Sequence, residues 1–339
     1  MDLFGLSVLG VTTIALTLAF EFVNGFHDSA NSIATVVATK VLSPVWAVGL
    51  AAIFNFLGIF VLGMAVAKTV GKGIIDDVLI DEYGVCLIFC AVVGAIVWDV
   101  ITWWLGIPTS SSHALIGGLI GAGGAVMLVD AIVWSGTLKT VAFIVISPIA
   151  GLAIGFLMAS GVMRIGKSMT RTTVNHWFRK LQICSMAFLS LMHGSNDAQK
   201  GMGIIKSVLL LEAGVFVTGE FEPDLWVIMS CGFMIALGTF FGGWRIVKTM
   251  AARVTHLEPY QGFCAETGAA SMIAVATSFG IPVSTTHTVS GSIMGVGATK
   301  RLSAVRWGVG RKIVIAWILT IPAAATISGV LFLLLNPFC

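Results

Sequence analysis

Charge is what this chain has least of. Lys, Arg, Asp and Glu make up 10% of its 339 residues, and hydrophobic residues reach 57% with a mean hydropathy of +1.00. A soluble domain carries about a quarter charged residues, so this composition excludes a chain that solvates its own surface and points to a polytopic membrane protein. Apolar stretches of spanning length recur near residues 5–22, 46–67, 84–105, 139–162, 182–195, 225–244, 262–279 and 313–335. They leave no room for a soluble catalytic domain, so an enzyme is not expected. Metal-binding patterns are missing too. Cys86, Cys90, Cys184, Cys231, Cys264 and Cys339 show no CxxC and no Cys/His spacing, so no cofactor or bound metal is expected and the cysteines read as small buried thiols. No basic segment precedes the first apolar stretch, which is therefore expected to be the first helix rather than a cleaved leader. A net charge of +3 gives no footing for nucleic acid.

The few charges are unevenly placed. Thirteen of the 19 Lys and Arg fall in three segments, Arg164 to Lys180, Arg245 to Arg253 and Lys300 to Lys312. Basic loops stay in the cytoplasm, so all three are expected on that side of a plasma (cell inner) membrane. The opposite side receives acidic loops, with Asp76, Asp77, Asp81 and Glu82 in one and Glu212, Glu220, Glu222 and Asp224 in the other.

One octapeptide occurs twice. Gly106-Ile107-Pro108-Thr109-Ser110-Ser111-Ser112-His113 recurs as Gly280-Ile281-Pro282-Val283-Ser284-Thr285-Thr286-His287, and around it residues 89–123 match 263–297 at an offset of 174 with 13 of 35 positions identical. Upstream, Gly25-Phe26-His27-Asp28 pairs with Gly194-Ser195-Asn196-Asp197 at an offset of 169. The expected fold is all-α, with a first transmembrane repeat over 1–163, a basic cytoplasmic linker over 164–180 and a second repeat over 181–339. Each repeat is expected to hold a broken first helix and a re-entrant helical hairpin tipped by the octapeptide. A hairpin gives each half an odd number of crossings, which inverts the second copy and puts all three basic segments on one side. Secondary transporters built this way place substrate at the midplane between repeats.

In each octapeptide the Pro ends one helix and the Ser/Thr run starts another. A helix N-terminus offers free amides and partial positive charge, an anion site without a cationic side chain. Two such starts, with the hydroxyls of Ser110, Ser111, Ser112, Ser284, Thr285 and Thr286, make a donor-rich cradle suited to a tetrahedral oxyanion. Asn31 and Lys200 are further candidates for the substrate. Beside them lie Asp28 and Asp197 with Asn24, Asn196 and His27, able to hold a cation or proton at membrane depth. Glu266 joins this coupling set as an intramembrane acid without a repeat partner, Val92 standing in its place. Lys200, three residues after Asp197, is placed to neutralise it, whereas the matching position in the first half is Asn31. Glu21 and Asp99 are intramembrane acids and count as functional candidates by default. Ser112 and His113 are sequence neighbours rather than groups brought together by a fold, which argues against a Ser/His hydrolase.

Gly243-Trp244-Arg245, the stretch from Ala316-Trp317 through Pro322-Ala323-Ala324, the paired Pro-x-Ser-Ser/Thr-Ser/Thr-His tips and the duplicated Asp motif resemble the PiT family of inorganic phosphate transporters over nearly the whole chain. The resemblance implies secondary active import of inorganic phosphate coupled to protons or sodium, usually in homodimers. It puts Asp28 and Asp197 near the coupling ion and both hydroxyl tips on phosphate. Where many sodium-coupled members carry Asn before the first Asp, this chain has His27, which is similar to the proton-coupled bacterial branch that carries phosphate as a neutral metal complex. The second motif keeps Asn196 before Asp197. The superfamily also contains sulfate permeases, so a sulfate or oxyanion permease of the same fold is the alternative. Phosphate can donate a proton to a carboxylate, and sulfate cannot.

Overall fold

The computed structural model describes residues 5–75, 77–127, 130, 132–215, 221–250 and 254–338. Asp76, Glu220, Arg253 and Cys339 lie outside these, as do the side chains of Asp77, Asp81 and Glu82. Among the described residues there is no strand beyond one isolated bridge between Ile75 and Ile132. Twelve α-helices account for the fold: α1 Val8–Ala38, α2 Pro44–Gly58, α3 Ala65–Lys72, α4 Asp77–Leu105, α5 Ser111–Met127, α6 Trp134–Ile165, α7 Arg171–Glu212, α8 Leu225–Phe241, α9 Trp244–Lys248, α10 Pro259–Ser278, α11 Thr285–Ala298 and α12 Trp307–Leu335. Among the described residues, four segments are long and apolar enough to cross a bilayer, Val8–Ala38, Tyr83–Leu105, Trp134–Ser168 and Trp307–Leu335. Trp104, Leu157, Phe233 and Ile318 lie exposed on the outside, while Asp28, His193, Asp197 and Lys200 are buried within. That distribution suits an apolar solvent and reverses the pattern of a soluble protein.

The two octapeptides form matching turns. α4 ends with the amide of Ile107 donating to Thr102 O and α10 with that of Ile281 donating to Ala276 O, both at 2.9 Å. This closure needs a left-handed residue, supplied by Gly106 at φ +66° and Gly280 at φ +68°. After the Pro, a Ser accepts from the backbone three residues on: His113 N–H donates to Ser110 Oγ at 3.3 Å and His287 N–H to Ser284 Oγ at 3.1 Å. These caps, worth about 1 kcal/mol each, start α5 and α11.

Each tip helix is covered by the last helix of the other half. A Cβ on Gly291 or Gly295 of α11 would lie 2.2 or 2.1 Å from backbone oxygens of Pro148 and Leu152 in α6, and one on Gly117 or Gly121 of α5 would lie 2.7 or 2.1 Å from those of Ile321 and Ala325 in α12. The two Gly-x-x-x-Gly pairs are therefore packing faces where backbones meet, and the halves interlock.

One expectation about the chain path needs correction. The first helix of each half is not broken at the Asp motif, because α1 and α7 run unbroken through Gly25 and Gly194. The glycines serve contact instead: a Cβ on Gly25 would sit 2.1 Å from Ile235 O of α8, and one on Gly194 would sit 2.0 Å from Asn55 O of α2. α7 starts at Arg171 behind the Thr170 cap, so the second part of the segment 164–180 is helical. Of the cysteines, Cys90, Cys231 and Cys264 are buried free thiols and Cys184 is an exposed one, while Cys86 is disulfide-bonded, which its spacing did not announce.

Candidate functional site

The site grows from one face of α1. Thr13, Thr17, Glu21, Asn24, Asp28, Asn31, Thr35 and Thr39 follow one another at spacings of three and four, and all are buried. Side chains at that spacing share one helix face. A polar face inside a membrane protein must meet partners, and the partners here are the octapeptide tips. Ser111 donates to Asn24 Oδ1 at 2.6 Å and to Asp28 Oδ2 at 3.3 Å. From the other half, Thr285 and Thr286 donate to the same Asp28 Oδ2 at 3.4 and 3.2 Å, and the Asn31 amide donates to both hydroxyls at 3.1 and 2.9 Å. The tips also touch each other. Ser112 donates to Val283 O at 3.1 Å, the rings of His113 and His287 lie 4.7 Å apart, and Trp317, stacked on His287, donates to Pro108 O at 3.1 Å. Ser110 and Ser284 are occupied as caps, so the hydroxyls that meet Asp28 are those of Ser111, Thr285 and Thr286.

The residue before each Asp holds the nearby turn. His27 Nδ1 lies 2.6 Å from Asp28 Oδ1, and its Nε2 reaches Thr102 and Thr109 at 3.2 and 3.3 Å. Asn196 donates to Thr277 at 2.8 Å and to Ile281 O at 3.3 Å. His27 and Asn196 thus do the same structural task in the two halves.

α7 completes the core. Lys200 Nζ lies 2.7 Å from Asp197 Oδ1, and His193 Nε2 lies 3.6 Å from Asp197 Oδ2. Asp28, His193 and Asp197 each offer a ligand atom, all within 4.8 Å of one another, a group that could hold a metal ion. Linear spacing did not disclose this trio, because two helices supply it. Glu21 accepts the Gly201 amide at 2.7 Å, which ties α1 to α7. Polar capacity is left over on α1 beside the cradle: Asn24 Nδ2, Asn31 Oδ1 and Ser32 Oγ are buried without a hydrogen-bond partner. Such atoms need an explanation, and a polar ligand supplies one.

Glu266 is not brought to the cradle. It accepts from Thr35 at 2.5 Å, from Gln182 at 3.1 Å and from Ser185. Thr35 lies seven residues beyond Asp28 on α1, about 10 Å along the axis. This satellite cluster joins α1, α7 and α10, and Gln182 extends it by accepting from Thr39 at 2.9 Å. Thr35, Gln182 and Ser185 escaped the sequence reading. The three-four spacing along α1 was the signal available for Thr35, and on α7 Gln182 and Ser185 continue a similar face ahead of His193 and Asn196.

With this geometry in hand, the comparisons with known proteins are specific. Residues 24–328 match the profile of the Phosphate transporter family. A protein of Rhizobium meliloti (strain 1021) is 52% identical over 322 residues, covering 95% of each chain, and one of Bacillus subtilis (strain 168) is 41% identical over 331 residues, covering 98% of each. Both bear the name "Probable low-affinity inorganic phosphate transporter". A solved structure titled "The sodium-dependent phosphate transporter" superposes with a TM-score of 0.89 over 98% of this chain and all of its own, at 24% identity. That likeness establishes a shared fold.

Proposed function

Because the chain belongs to the phosphate transporter family, we propose that it imports inorganic phosphate across the plasma (cell inner) membrane by cation-coupled symport. The observation that carries this reading is the meeting of three tip hydroxyls, Ser111 from one half and Thr285 and Thr286 from the other, on the single carboxylate of Asp28. The same three hydroxyls are the donors a tetrahedral oxyanion needs. A charged Asp28 both repels that anion and holds its donors. A cation or proton reaching Asp28 removes the repulsion and releases the hydroxyls, and phosphate then takes them together with those first-turn amides of α5 and α11 that the Ser110 and Ser284 caps leave free. Anion binding thereby waits for the cation, which is the thermodynamic content of coupling.

Asp28, His193 and Asp197 are the ligands for the coupling cation, or for a divalent ion travelling with phosphate. The proton is the preferred coupling ion in this reading, because the His27 ring sits against Asp28 Oδ1 and takes an oxygen that sodium would use. Glu266 acts where α1, α7 and α10 are held together rather than on the transported cation. The two halves are inverted repeats with re-entrant hairpins at α4–α5 and α10–α11, a reading supported by the matched glycine closures and the exchanged cover helices. The basic segment around residues 164–180 faces the cytoplasm, and the working unit is a homodimer, as the family resemblance implies.

Uptake of labelled phosphate by proteoliposomes under separately imposed proton and sodium gradients tests the proposal. Acceleration by an inward proton gradient, with weak inhibition by excess sulfate, is expected. Strong sulfate inhibition would transfer the assignment to a sulfate or oxyanion permease, and acceleration by sodium alone would move the coupling ion.

A further inference from the structure

Lys200 is the one lysine or arginine buried among the described residues, with 1% of its side chain exposed. Its ammonium lies 2.7 Å from Asp197 Oδ1, so it spends its charge on a carboxylate of its own helix. Asp197 is used from two sides. One oxygen meets Lys200, and the other faces His193 Nε2 at 3.6 Å within the trio that includes Asp28. In the matching place on α1, three residues after Asp28, stands the neutral Asn31, which donates to Thr285 and Thr286. The repeats agree in their Gly and their Asp and differ here by a full positive charge. A buried carboxylate must be paired with a positive charge or protonated. In the first half the pairing groups are a titratable ring and whatever cation arrives, whereas in the second an ammonium is fixed in place.

We propose that Lys200 is a tethered counter-cation filling the place in the second half that a dissociable cation would occupy, so that each phosphate travels with one mobile cation fewer than a neutral residue at position 200 would require. The inference rests on the symport reading and refines it. Asp28 and Asp197 carry two negative charges between them when ionised, and Lys200 cancels one permanently. Of this pair, the mobile cation then has one carboxylate left to neutralise. Because the tether travels with the protein, its charge returns on every empty cycle and performs no net transport.

The charge moved per phosphate is measurable as the membrane potential at which net flux of labelled phosphate vanishes in proteoliposomes with fixed phosphate, proton and sodium gradients. Wild type and Lys200→Arg are expected to share one value, and Lys200→Asn is expected to carry one additional positive charge, with the order of cation dependence raised by one. An unchanged charge and cation order in Lys200→Asn, with only a weaker apparent phosphate affinity, would overturn the proposal and make Lys200 a direct phosphate ligand. A second measurement does not need transport. The melting temperature of detergent-purified Lys200→Met should rise by several degrees on adding sodium or lowering pH, more than that of wild type, because a cation must now fill the site. Equal responses in both proteins would also overturn the proposal. Wild-type liposomes that take up no phosphate under either gradient would sink the symport reading alone, since the melting response is read without it.

Discussion

At the scale of single residues, Asp28 has the most demanding position. It accepts from three hydroxyls belonging to both halves and touches the His27 ring. Replacing it by Asn keeps the shape and removes the charge that gates the donors in the proposed cycle. Asp28→Asn should therefore reduce coupled uptake to the background of protein-free liposomes. An unchanged uptake rate in a variant that melts normally would remove Asp28 from coupling. Ser111→Ala and Thr285→Ala delete donors to a charged group, each worth about 1.5–3 kcal/mol. Their apparent phosphate constants should rise by about tenfold or more, and initial-rate uptake over a range of phosphate concentrations checks this. Much of this site was legible beforehand, because Ser/Thr runs behind a Gly-x-Pro stop and acids inside apolar stretches have few other uses. The convergence of both tips on one carboxylate was not, since sequence spacing says nothing about which helix of one half lies beside a turn of the other. Glu266 shows the same limit. As a buried acid it resembled a coupling group, yet its partners Thr35, Gln182 and Ser185 come from two other helices.

At the scale of elements, the lesson concerns glycine. A Gly beside an Asp at membrane depth reads as a helix break, yet α1 and α7 pass through Gly25 and Gly194 without one. The same residue permits either a break or a close approach, and only the neighbouring helix decides which. Here the neighbours are the backbones of α8 and α2, at 2.1 and 2.0 Å from where a Cβ would stand. Gly25→Ala and Gly194→Ala should therefore disrupt packing although alanine is the better helix former. Overpacking of this kind costs about 1–3 kcal/mol or more, to be read as a lowered melting temperature and a reduced yield of folded protein. A variant as stable and active as wild type would show that these helices can separate freely. Gly106 and Gly280 were easier to interpret, because a Gly ahead of Pro at the end of an apolar helix is the common stop signal, and both adopt positive φ.

For the whole molecule, duplication was plain in the sequence, but the way the copies join was not. Inverted repeats with a site between them say that the tips meet, and leave open which helices of one half cover the other. In the fold α6 covers α11 and α12 covers α5, each tip helix being closed by backbone contact with the other half. Such an exchange leaves neither half complete. Residues 1–168 expressed alone should be degraded, and co-expression with residues 169–339 should restore both halves and phosphate uptake, as followed by immunoblot and transport assay. Accumulation of stable, folded 1–168 on its own would contradict the interlock.

The exchange also sets an order of events at the ribosome. α5 enters the membrane with Gly117 and Gly121 uncovered, and its cover, α12, is made much later. The stripe must wait while nearly two hundred residues are translated, at about 5–20 residues per second. During that interval the first octapeptide tip is open to other helices and to the quality-control proteases that recognise unpaired membrane segments. Closure of the first tip helix is therefore postponed until α12 has been made.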